Sequence, residues 1–596
     1  PADLHLGAPD QARGLPGSRR HVTDGALIAR VVPDVTGLDK QFDYVVPPEL
    51  ADAVRVGSIV RVPLGPRKVR AWVVALSATS DIENLKPVAS WSGIGPDEAV
   101  IDLARWAAHR WAGRLRPFLL AASPAALVKK AVSSPPRTWD PAEQRVLDPL
   151  GGVIRLPPCA DPLPTLLAAC SSGPILVVQP DVDGAGLLAA RLRGVGLRVA
   201  VTPRDWAPAA GGVDVVIGAR AAVWSPCPGL AGIVVLDEHD ESLQDERSPA
   251  WHARDVAVER ARRAAVPCWL VSPTPTLEAL AWAGSRASRP SRVEERNGWP
   301  FVAVVDRSVE ELPLASPISR ALLEACRDPH QRVVCVLNTK GRSRRLVCRA
   351  CRAQVTCAAC DAGVSQARDA TLHCSRCEAT RPALCNACGS TRLAGIGIGI
   401  ARLRDELAAA IRRPVVEVSA DAADDAVASA PPDAVFLGTE AVLHRVRSAS
   451  TVVFVDFDDE LLAPRYRAAE EAMSLVVRAA RLVGARASGG RVLLQTDLPR
   501  HEVVQAALHA DPSRLVEPER ERRLLLGLPP ERALAAVSGT AASSWLQPCP
   551  LGLELSGPAQ GRWLVRALTW DDLADGLQTL GPRPRGVRVE VDPHRV

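Results

Sequence analysis

The chain has 596 residues, of which 47% are hydrophobic, and its formal net charge is +5. The length suits about four domains of ~150 residues each, with large cores. Every apolar run is cut by Arg, Asp, Gly or Pro within about a dozen residues, which excludes a membrane span, and the mildly basic charge permits nucleic acid as a partner without requiring it.

The N-terminal part predicts a tail followed by a small β-rich domain. Residues 1–25 are rich in Gly, Pro and Arg and lack an apolar segment, so they indicate a disordered tail rather than a signal peptide, and we expect a cytoplasmic location. Four strand-like runs predict a β-rich domain over residues 26–116: Leu27–Val32, Phe42–Pro47, Gly57–Gly65 and Val69–Ser77. A helix is predicted over Asp97–Gly113, and the Pro-rich residues 117–160 predict a linker or an eroded winged-helix region.

The pattern then changes to short Val- and Ile-rich runs that alternate with helix-like stretches. Five runs predict the strands of a first lobe over residues 161–305: Pro174–Pro180, Leu197–Pro203, Asp214–Arg220, Gly232–Glu238 and Cys268–Pro275. Five more predict a second lobe made of residues 306–345 and 391–499: Arg332–Asn338, Val415–Ala420, Ala434–Glu440, Thr451–Glu460 and Arg491–Asp497. Near-continuous apolar strands with helices between them indicate parallel sheets covered on both faces. Residues 500–596 predict a C-terminal α+β domain.

Eight of the fifteen cysteines form four Cys-x-x-Cys pairs within residues 346–390, inside the second lobe. Each pair offers two thiolates from one tight turn and two pairs complete a tetrahedral shell, so four pairs predict two closed, structural Zn²⁺ sites. Regular spacing in a chain without a secretory signal favours metal over disulfides or unligated thiols.

The pairing of these motifs has two possible topologies. Thirteen residues separate the middle two pairs, which suits a hairpin and favours a nested arrangement. That arrangement predicts one site from Cys348, Cys351, Cys385 and Cys388, and a second site from Cys357, Cys360, Cys374 and Cys377. A cross-braced arrangement, which joins the first pair to the third and the second to the fourth, is the alternative.

The order of these pieces resembles the replication-restart primosomal protein N′ (PriA) family, within the superfamily 2 helicases. Five features carry the resemblance: Phe-Asp-Tyr at 42–44 followed by VGSIVRVPLG, VVLDEHD followed by WHARDVAVERA, LVSPTPTLE, the eight-cysteine insert after LNTKG, and the tail GRWLVRAL with VEVDP. The resemblance implies two RecA-like α/β lobes, a small N-terminal β domain that binds DNA 3′ ends, a double-zinc insert in the second lobe and a C-terminal α+β domain. It also implies ATP and Mg²⁺ as cofactors and a nucleoid-associated location. The implied partners are branched DNA, primosome and replicative-helicase-loading proteins and, as a further candidate, single-strand-binding protein, with no membrane.

The ATP site that this resemblance implies is eroded in the sequence. A phosphate-binding loop requires backbone N–H groups, a Lys and a Ser or Thr hydroxyl. The corresponding stretch, residues 151–173, has no Gly-Lys-Ser/Thr step, and the chain has no lysine between Lys130 and Lys340. Asp237 and Glu238 stand where a Mg²⁺-binding Asp and a water-orienting Glu are expected, but as degenerate remnants, and the arginine-finger segment aligns with broken spacing on residues 478–486. We therefore expect neither ATP binding nor unwinding.

The resemblance also implies a pocket for the 3′ end of a nascent strand. It carries over to Phe42, Asp43, Tyr44, Gly65 and Lys86. Asp43 could accept a hydrogen bond from a 3′-hydroxyl, an aromatic ring could stack on the terminal base, Gly65 would allow close backbone approach, and the Lys86 ammonium could meet a phosphate. Alternatively, the two aromatic rings belong to the core of a small barrel. Arg220 is a further candidate, because it lies where helicase lobes contact the DNA backbone.

Three functions remain open at this point. The first is a fork-binding protein that promotes primosome assembly and replicative-helicase loading without motor activity. The second is an active ATP-dependent 3′→5′ DNA helicase of the same family. The third is a zinc-ribbon module that binds nucleic acid or protein, with the 3′-end pocket irrelevant.

Overall fold

The computed structural model describes residues 21–22, 27–38, 40–133, 147–309, 317–338, 345–367, 371–396, 399–419, 425–559 and 561–594. The chain divides into two compact units, Pro1–Arg105 with Arg114–Val132, and Trp106–Gly113 with Ser133–Val596. The predicted tail over residues 1–25 lies outside the described residues, apart from the short backbone strand His21–Val22. No described helix is both long and apolar enough to cross a membrane.

The first unit is built on a five-stranded antiparallel sheet, and each of the four predicted runs overlaps one of its strands. In spatial order the strands are Phe42–Val45, Ile28–Pro33, Arg67–Ser77, Ile59–Leu64 and Ser90–Gly93. A two-residue strand, Thr79–Ser80, pairs with His21–Val22, and the helices of this region are Glu98–Arg110 and Leu115–Ala122. Alternate residues of the strands point into one core, which includes Ala29, Val31, Val60, Val62 and Val73.

The second unit contains two all-parallel sheets, as the alternating runs predict. The first sheet has the order Val199–Thr202, Val215–Gly218, Ile175–Val178, Gly232–Leu236, Cys268–Ser272, Gly152–Arg155 and Ala287–Ser288. Its helices are Leu163–Cys170, Val182–Gly194, Trp206–Gly211, Ala253–Ala264, Leu277–Ala283 and Arg292–Asn297. Helices connect the strands, so the Val- and Ile-rich strands are buried on both faces.

The second parallel sheet has six strands, in the order Phe301–Asp306, Arg491–Thr496, Thr451–Phe454, Val333–Val336, Val435–Gly438 and Val415–Val418. Its helices are Arg320–Arg327, Ile400–Ile411, Asp425–Ala428, Ala441–Arg445, Asp458–Leu461 and Ala468–Val483. Glu502–Leu508 and Ser513–Leu526 follow the last strand. The long helix Ala468–Val483 packs on this sheet through a continuous apolar face and carries Arg478 and Arg481.

The cysteine-rich insert and the C-terminal domain complete the second unit. The insert is closed by an antiparallel pair, Arg345–Cys348 with Leu393–Ile396, and contains three short strands, Ser365–Gln366, Thr371–His373 and Thr380–Pro382. The C-terminal sheet has the order Glu554–Ala559, Arg562–Ala567, Ala533–Ser538 and Arg588–Val591, with helices Ala542–Trp545 and Trp570–Thr579.

The structure places two strands in a different domain from the one that the predicted boundaries give them. Gly152–Arg155 falls in the predicted linker but pairs with Cys268–Ser272 and Ala287–Ser288 in the first sheet. Phe301–Asp306 falls in the predicted first lobe except for its last residue, but it pairs with Arg491–Thr496 in the second sheet. A short apolar run shows that a strand forms, whereas its pairing partner, which is distant in sequence, decides the sheet to which it belongs.

Candidate functional site

The structure brings the eight insert cysteines together in two groups of four, in the nested arrangement rather than the cross-braced one. Cys348, Cys351, Cys385 and Cys388 form the outer cluster, and Cys357, Cys360, Cys374 and Cys377 form the inner cluster. The four Sγ atoms of each group lie within 4.8 Å of one another. The two cysteines that bring the hairpin ends together, Cys360 and Cys374, have Sγ atoms 3.6 Å apart.

Each Cys-x-x-Cys motif forms the same backbone knuckle. In the first motif the N–H of Arg352 donates to the Cys348 carbonyl at 2.9 Å, and the N–H of Ala350 donates to the Cys348 Sγ at 3.4 Å. The residue after each second cysteine is left-handed, with φ of +62° at Arg352, +56° at Asp361, +61° at Glu378 and +71° at Gly389. This turn points both sulfur atoms of a motif to the same side.

The donor set of both clusters fits a tetrahedral metal ion. Zn²⁺ binds thiolates at about 2.3 Å, which places sulfur atoms about 3.8 Å apart in a tetrahedron. The Sγ atoms of Cys348 and Cys388 are 3.5 Å apart, and those of Cys351 and Cys385 are 3.6 Å apart. Four sulfur donors leave no open coordination position, so a metal held here would be structural.

The inner cluster is attached to the loop between helices Asp458–Leu461 and Ala468–Val483. Arg376 donates to the carbonyls of Ala463 and Arg465, both at 3.1 Å, and to the carbonyl of Cys360 at 3.2 Å. The N–H of Gly363 donates to the Leu462 carbonyl at 2.8 Å. Since Cys351 and Cys388 of the outer cluster are exposed, the insert presents the outer cluster to solvent and uses the inner cluster for attachment.

Of the predicted 3′-end residues, three lie on the edge strand Phe42–Val45 of the first unit and Lys86 lies beside it. Gly65 lies in the turn between Ile59–Leu64 and Arg67–Ser77. Asp43 lies on the outward face, where Arg30 of the neighbouring strand donates to it from Nε at 2.9 Å and from a terminal nitrogen at 3.2 Å. The charge and hydrogen bond of Arg30 hold the pKa of Asp43 below its usual range, although burial acts in the opposite direction. Lys86 is exposed on the other side of the strand, and its carbonyl accepts from the Val45 N–H at 3.0 Å.

The aromatic residues of this strand face the core. Tyr44 is only 4% exposed and its hydroxyl donates to the Pro63 carbonyl at 2.9 Å, so its ring is not presented to a base. Phe42 is half-buried against the same core. Gly65 turns the chain between two strands with φ of +58°, and the space where a Cβ would stand is open. The structure therefore favours the core interpretation for Tyr44 and leaves Phe42, Gly65 and Lys86 accessible.

The cleft where a nucleotide is expected has no phosphate cradle. Strand Gly152–Arg155 leads through a loop into helix Leu163–Cys170, and this loop contains Pro157 and Pro158, which lack N–H groups. Other donors here are already engaged, because the Cys159 N–H donates to the Gly298 carbonyl at 3.1 Å and the Leu163 N–H donates to the Asp161 carboxylate at 3.0 Å. These residues do not fit a bound triphosphate, which needs free N–H groups and a cation.

The Asp237 carboxylate, which the resemblance predicts to bind Mg²⁺, is paired with an arginine from a helix of the second parallel sheet. Arg481, on helix Ala468–Val483, donates to both oxygens of Asp237 at 2.6 and 2.5 Å and to the Pro158 carbonyl at 3.1 Å. One helical turn earlier, Arg478 donates to Asp240 at 2.8 Å. Burial alone would raise the pKa of Asp237, but the charge and hydrogen bonds of Arg481 outweigh it and hold the pKa below normal.

Glu238 is buried and engaged as well. Its carboxylate accepts from the Thr276 N–H at 2.8 Å and from the Thr276 hydroxyl at 3.0 Å, and Arg254 lies 3.6 Å away. Burial raises the pKa of Glu238 to about 7, although Arg254 and the two hydrogen bonds act in the opposite direction. The side chain therefore holds Thr276 in place and has no open face for a water molecule.

Comparison with known proteins finds similarity to PriA proteins. A model of a 3′ DNA-binding domain (3′BD) of PriA matches residues 30–124. The replication restart protein PriA of Bacillus subtilis is 30% identical over 353 residues, which is 55% of this chain and 43% of the relative. The probable replication restart protein PriA of Mycobacterium bovis is 28% identical over 85% of this chain and 86% of the relative. The chain is therefore similar to PriA proteins over most of its length.

The match spans about half the length of the first PriA relatives, with shares of 43%, 58%, 57% and 52%. A solved structure of S. cerevisiae Dbp5 bound to RNA and ADP BeF3 covers 63% of this chain and 89% of its own, with 10% identity and a TM-score of 0.34. At that score the likeness adds nothing to what the strand order already shows.

Three arginines have partners in the structure that the sequence does not show. The Arg220 guanidinium donates to the carbonyls of Ser242 at 2.8 Å and Gln244 at 2.7 Å and pairs with Asp245 at 3.3 Å, so it braces a loop. Its contact with DNA stays a prediction. Arg30 was missed, because an arginine inside an apolar strand carries no sign of its cross-strand partner. Arg481 lies in the segment that sequence reasoning aligned with an arginine finger, yet only the tertiary structure shows that it binds Asp237.

Proposed function

We propose that this protein binds the nascent 3′ end at stalled or branched replication forks and promotes primosome assembly and replicative-helicase loading. The observation that supports it most directly is the match of residues 30–124 to the PriA 3′ DNA-binding domain, which falls almost entirely within the compact first unit. Along the edge strand, an ionised Asp43 would accept the 3′-hydroxyl, the half-buried Phe42 would support the terminal base, and the exposed Lys86 would meet a phosphate. Gly65 would allow the nascent DNA strand to approach the protein backbone closely.

We further propose that the protein performs this role without hydrolysing ATP or unwinding DNA. The prolines and engaged N–H groups of the loop after Gly152–Arg155 support this, as does the ion pair between Arg481 and Asp237. A buried ionic network reinforces the same contact between lobes. Arg467 pairs with Glu278 at 2.8 Å, and the fully buried Arg523 binds Glu278 and Glu470. The two lobes would then act as one rigid scaffold.

We propose that both cysteine clusters hold Zn²⁺ and keep the insert folded. Attachment of the inner cluster leaves the outer cluster free to face a partner, and primosome and helicase-loading proteins are the candidates, with single-strand-binding protein as another. The zinc sites would therefore serve assembly rather than the coupling of ATP to movement.

One preparation of the full chain tests fork binding and ATPase activity together. Fluorescence anisotropy at a fixed salt concentration compares a fork whose leading strand ends in a 3′-hydroxyl at the junction, the same fork without that strand, and plain duplex. We expect the first substrate to bind about tenfold more tightly, roughly the strength of one or two charge-assisted contacts. Asp43→Ala should erase this preference and leave duplex binding unchanged.

Three outcomes oppose the proposal. Equal affinity for all three substrates would favour the zinc-ribbon interaction module. Equal loss on fork and duplex in Asp43→Ala would remove the pocket. DNA-stimulated release of phosphate from ATP, abolished by Asp237→Ala, would show an active helicase instead.

A further inference from the structure

Arg30 and Asp43 form a cross-strand pair on the outward face of the N-terminal sheet. Strands Ile28–Pro33 and Phe42–Val45 run antiparallel, and their register places Arg30 directly opposite Asp43. The neighbouring pair, Ala29 opposite Tyr44, faces the core. The two charged side chains are therefore held together by the strand register itself, at the position that the proposed 3′-end pocket occupies.

The Asp43 carboxylate is fixed from a second side by Ser80. One Asp43 oxygen accepts from Arg30 Nε, and the other accepts from an Arg30 terminal nitrogen and from the Ser80 hydroxyl at 2.8 Å. The Ser80 hydroxyl oxygen in turn accepts from the Ile82 N–H at 3.2 Å. Three of about four acceptor positions of the carboxylate are thus used, which leaves one for a ligand hydroxyl.

Arg30 is the exposed member of this cluster. Its side chain is 52% exposed, whereas that of Asp43 is 6% exposed. A guanidinium has five N–H donors, of which two bind Asp43, and none of the other three has a partner within the described part of the chain. Asp81 is the other carboxylate whose charge acts on Arg30. An oriented guanidinium with unused donors suits a phosphate, which it can bind through two parallel hydrogen bonds.

A second exposed cation lies across the same strand. The segment that carries Lys86 hydrogen-bonds to Phe42–Val45 on the side opposite Arg30, through Val45 and Val88. At ~4.8 Å per strand spacing, the backbones that carry the two cations are about 10 Å apart across the sheet. The edge strand is therefore flanked by one positive charge on each side, with the acidic Asp43 between them.

We propose that Arg30 is a further DNA-binding residue of the 3′-end pocket, which contacts the phosphodiester next to the terminal nucleotide. Asp43 and Ser80 act on it as positioning residues. This inference rests on the proposed 3′-end function. If the Arg30–Asp43 pair served stability alone, removal of the Arg30 charge would change neither the affinity for DNA nor its dependence on salt.

The test is the salt dependence of binding in Arg30→Gln, which removes the charge and keeps an amide that can still donate to Asp43. We expect the 3′-ended fork to bind about five- to tenfold more weakly at low salt, and the slope of log K against log salt to fall by about 0.7 to 0.9, the loss of one phosphate contact. Plain duplex should bind within about twofold of the wild-type chain. Arg30→Lys should retain most of the slope, because it keeps a charge, and lose part of the fork preference.

Arg204→Gln is the matched control, because Arg204 is also exposed and pairs with an aspartate, Asp205, at 3.0 Å. It should leave fork preference and slope unchanged. In Asp43→Asn, a further Arg30→Gln change should cost much less than in the wild-type chain, since Arg30 is then no longer oriented. An unchanged salt slope in Arg30→Gln, or an equal loss on fork and duplex, overturns the proposal. A wild-type chain without preference for the 3′-ended fork would instead reject the function on which the proposal rests.

Discussion

The ion pair between Arg481 and Asp237 gives the sharpest test of how the two lobes are held together. Arg481→Ala removes both hydrogen bonds to Asp237 and the bond to the Pro158 carbonyl. The helix that carries Arg481 is otherwise packed on its own sheet through apolar residues, so the change should leave the second lobe folded. Only the contacts of Arg481 with Asp237 and Pro158 across the cleft are lost.

The expected loss of stability follows from the geometry and exposure of the pair. Hydrogen bonds to charged groups contribute about 1.5–3 kcal/mol each when they are well shielded from solvent. The Arg481 side chain is 41% exposed and that of Asp237 is 20% exposed, so water screens the pair. We therefore expect a total loss of about 2 kcal/mol, well below the sum of two shielded bonds. For a cooperative domain of ~150–250 residues, a loss of about 2 kcal/mol corresponds to a decrease of about 4–8 °C in the melting temperature.

A double-mutant cycle of Arg481→Ala with Asp237→Asn measures the contact itself. Both changes act on one interaction, so the double variant should be about 1–2 kcal/mol more stable than the sum of the single effects predicts. Thermal unfolding of the four chains at 0.1 M and 1 M salt gives this coupling, which should shrink at the higher salt concentration. Arg204→Ala is the control, because its exposed ion pair with Asp205 lies within one loop.

Two results would refute this reasoning. Additive effects of the two changes would mean that the ion pair does not hold the lobes together. A rise of several degrees in the wild-type melting temperature on addition of ATP and Mg²⁺ would mean that a nucleotide still binds where Arg481 lies, since a ligand of the folded state stabilises it.

Further predictions concern the metal clusters and the buried glutamate. A chelator should release two Zn²⁺ per chain, measured with a colorimetric dye, and fewer than two would remove one proposed site. Cys360→Ser in the attached inner cluster should lower the melting temperature more than Cys351→Ser in the exposed outer cluster, and the reverse order would contradict our assignment of their roles. Burial raises the pKa of Glu238 from 4.5 to about 7, so the folded protein holds a proton that the unfolded chain releases. Stability due to this group is therefore full below pH 4.5 and falls as the pH rises to 7. Relative to wild type, Glu238→Gln should gain at most about 3 kcal/mol across that interval, and a pH-independent difference would disprove the shift. Burial also lowers the pKa of His239 to about 4, which by itself makes the stability rise with pH. This contribution is the same in wild type and in Glu238→Gln, so it cancels from the difference between them.

Local sequence determined much of the architecture. All ten Val- and Ile-rich runs contain strands of the two parallel sheets. A strand whose side chains are apolar on both faces is stable when both faces are buried, as they are in a parallel sheet covered by helices. The Cys-x-x-Cys spacing likewise determined which cysteines share a knuckle, and the short hairpin between Cys360 and Cys374 favoured the nested grouping that the structure shows. The absence of a lysine from the phosphate loop is a property of the sequence alone.

Tertiary structure decided the partners of the charged residues. The sequence shows that Arg30, Arg220 and Arg481 are cations, and it cannot show that Arg220 braces a loop while Arg30 faces solvent beside Asp43. The contact between Arg481 and Asp237 joins residues 244 positions apart. Hydrophobic burial follows a local period that a sequence displays, whereas an ion pair depends on where two distant backbones come to lie. For that reason the sheets and cysteine knuckles could be predicted from this sequence, and the closure of the cleft and the orientation of Arg30 could be found only in the folded chain.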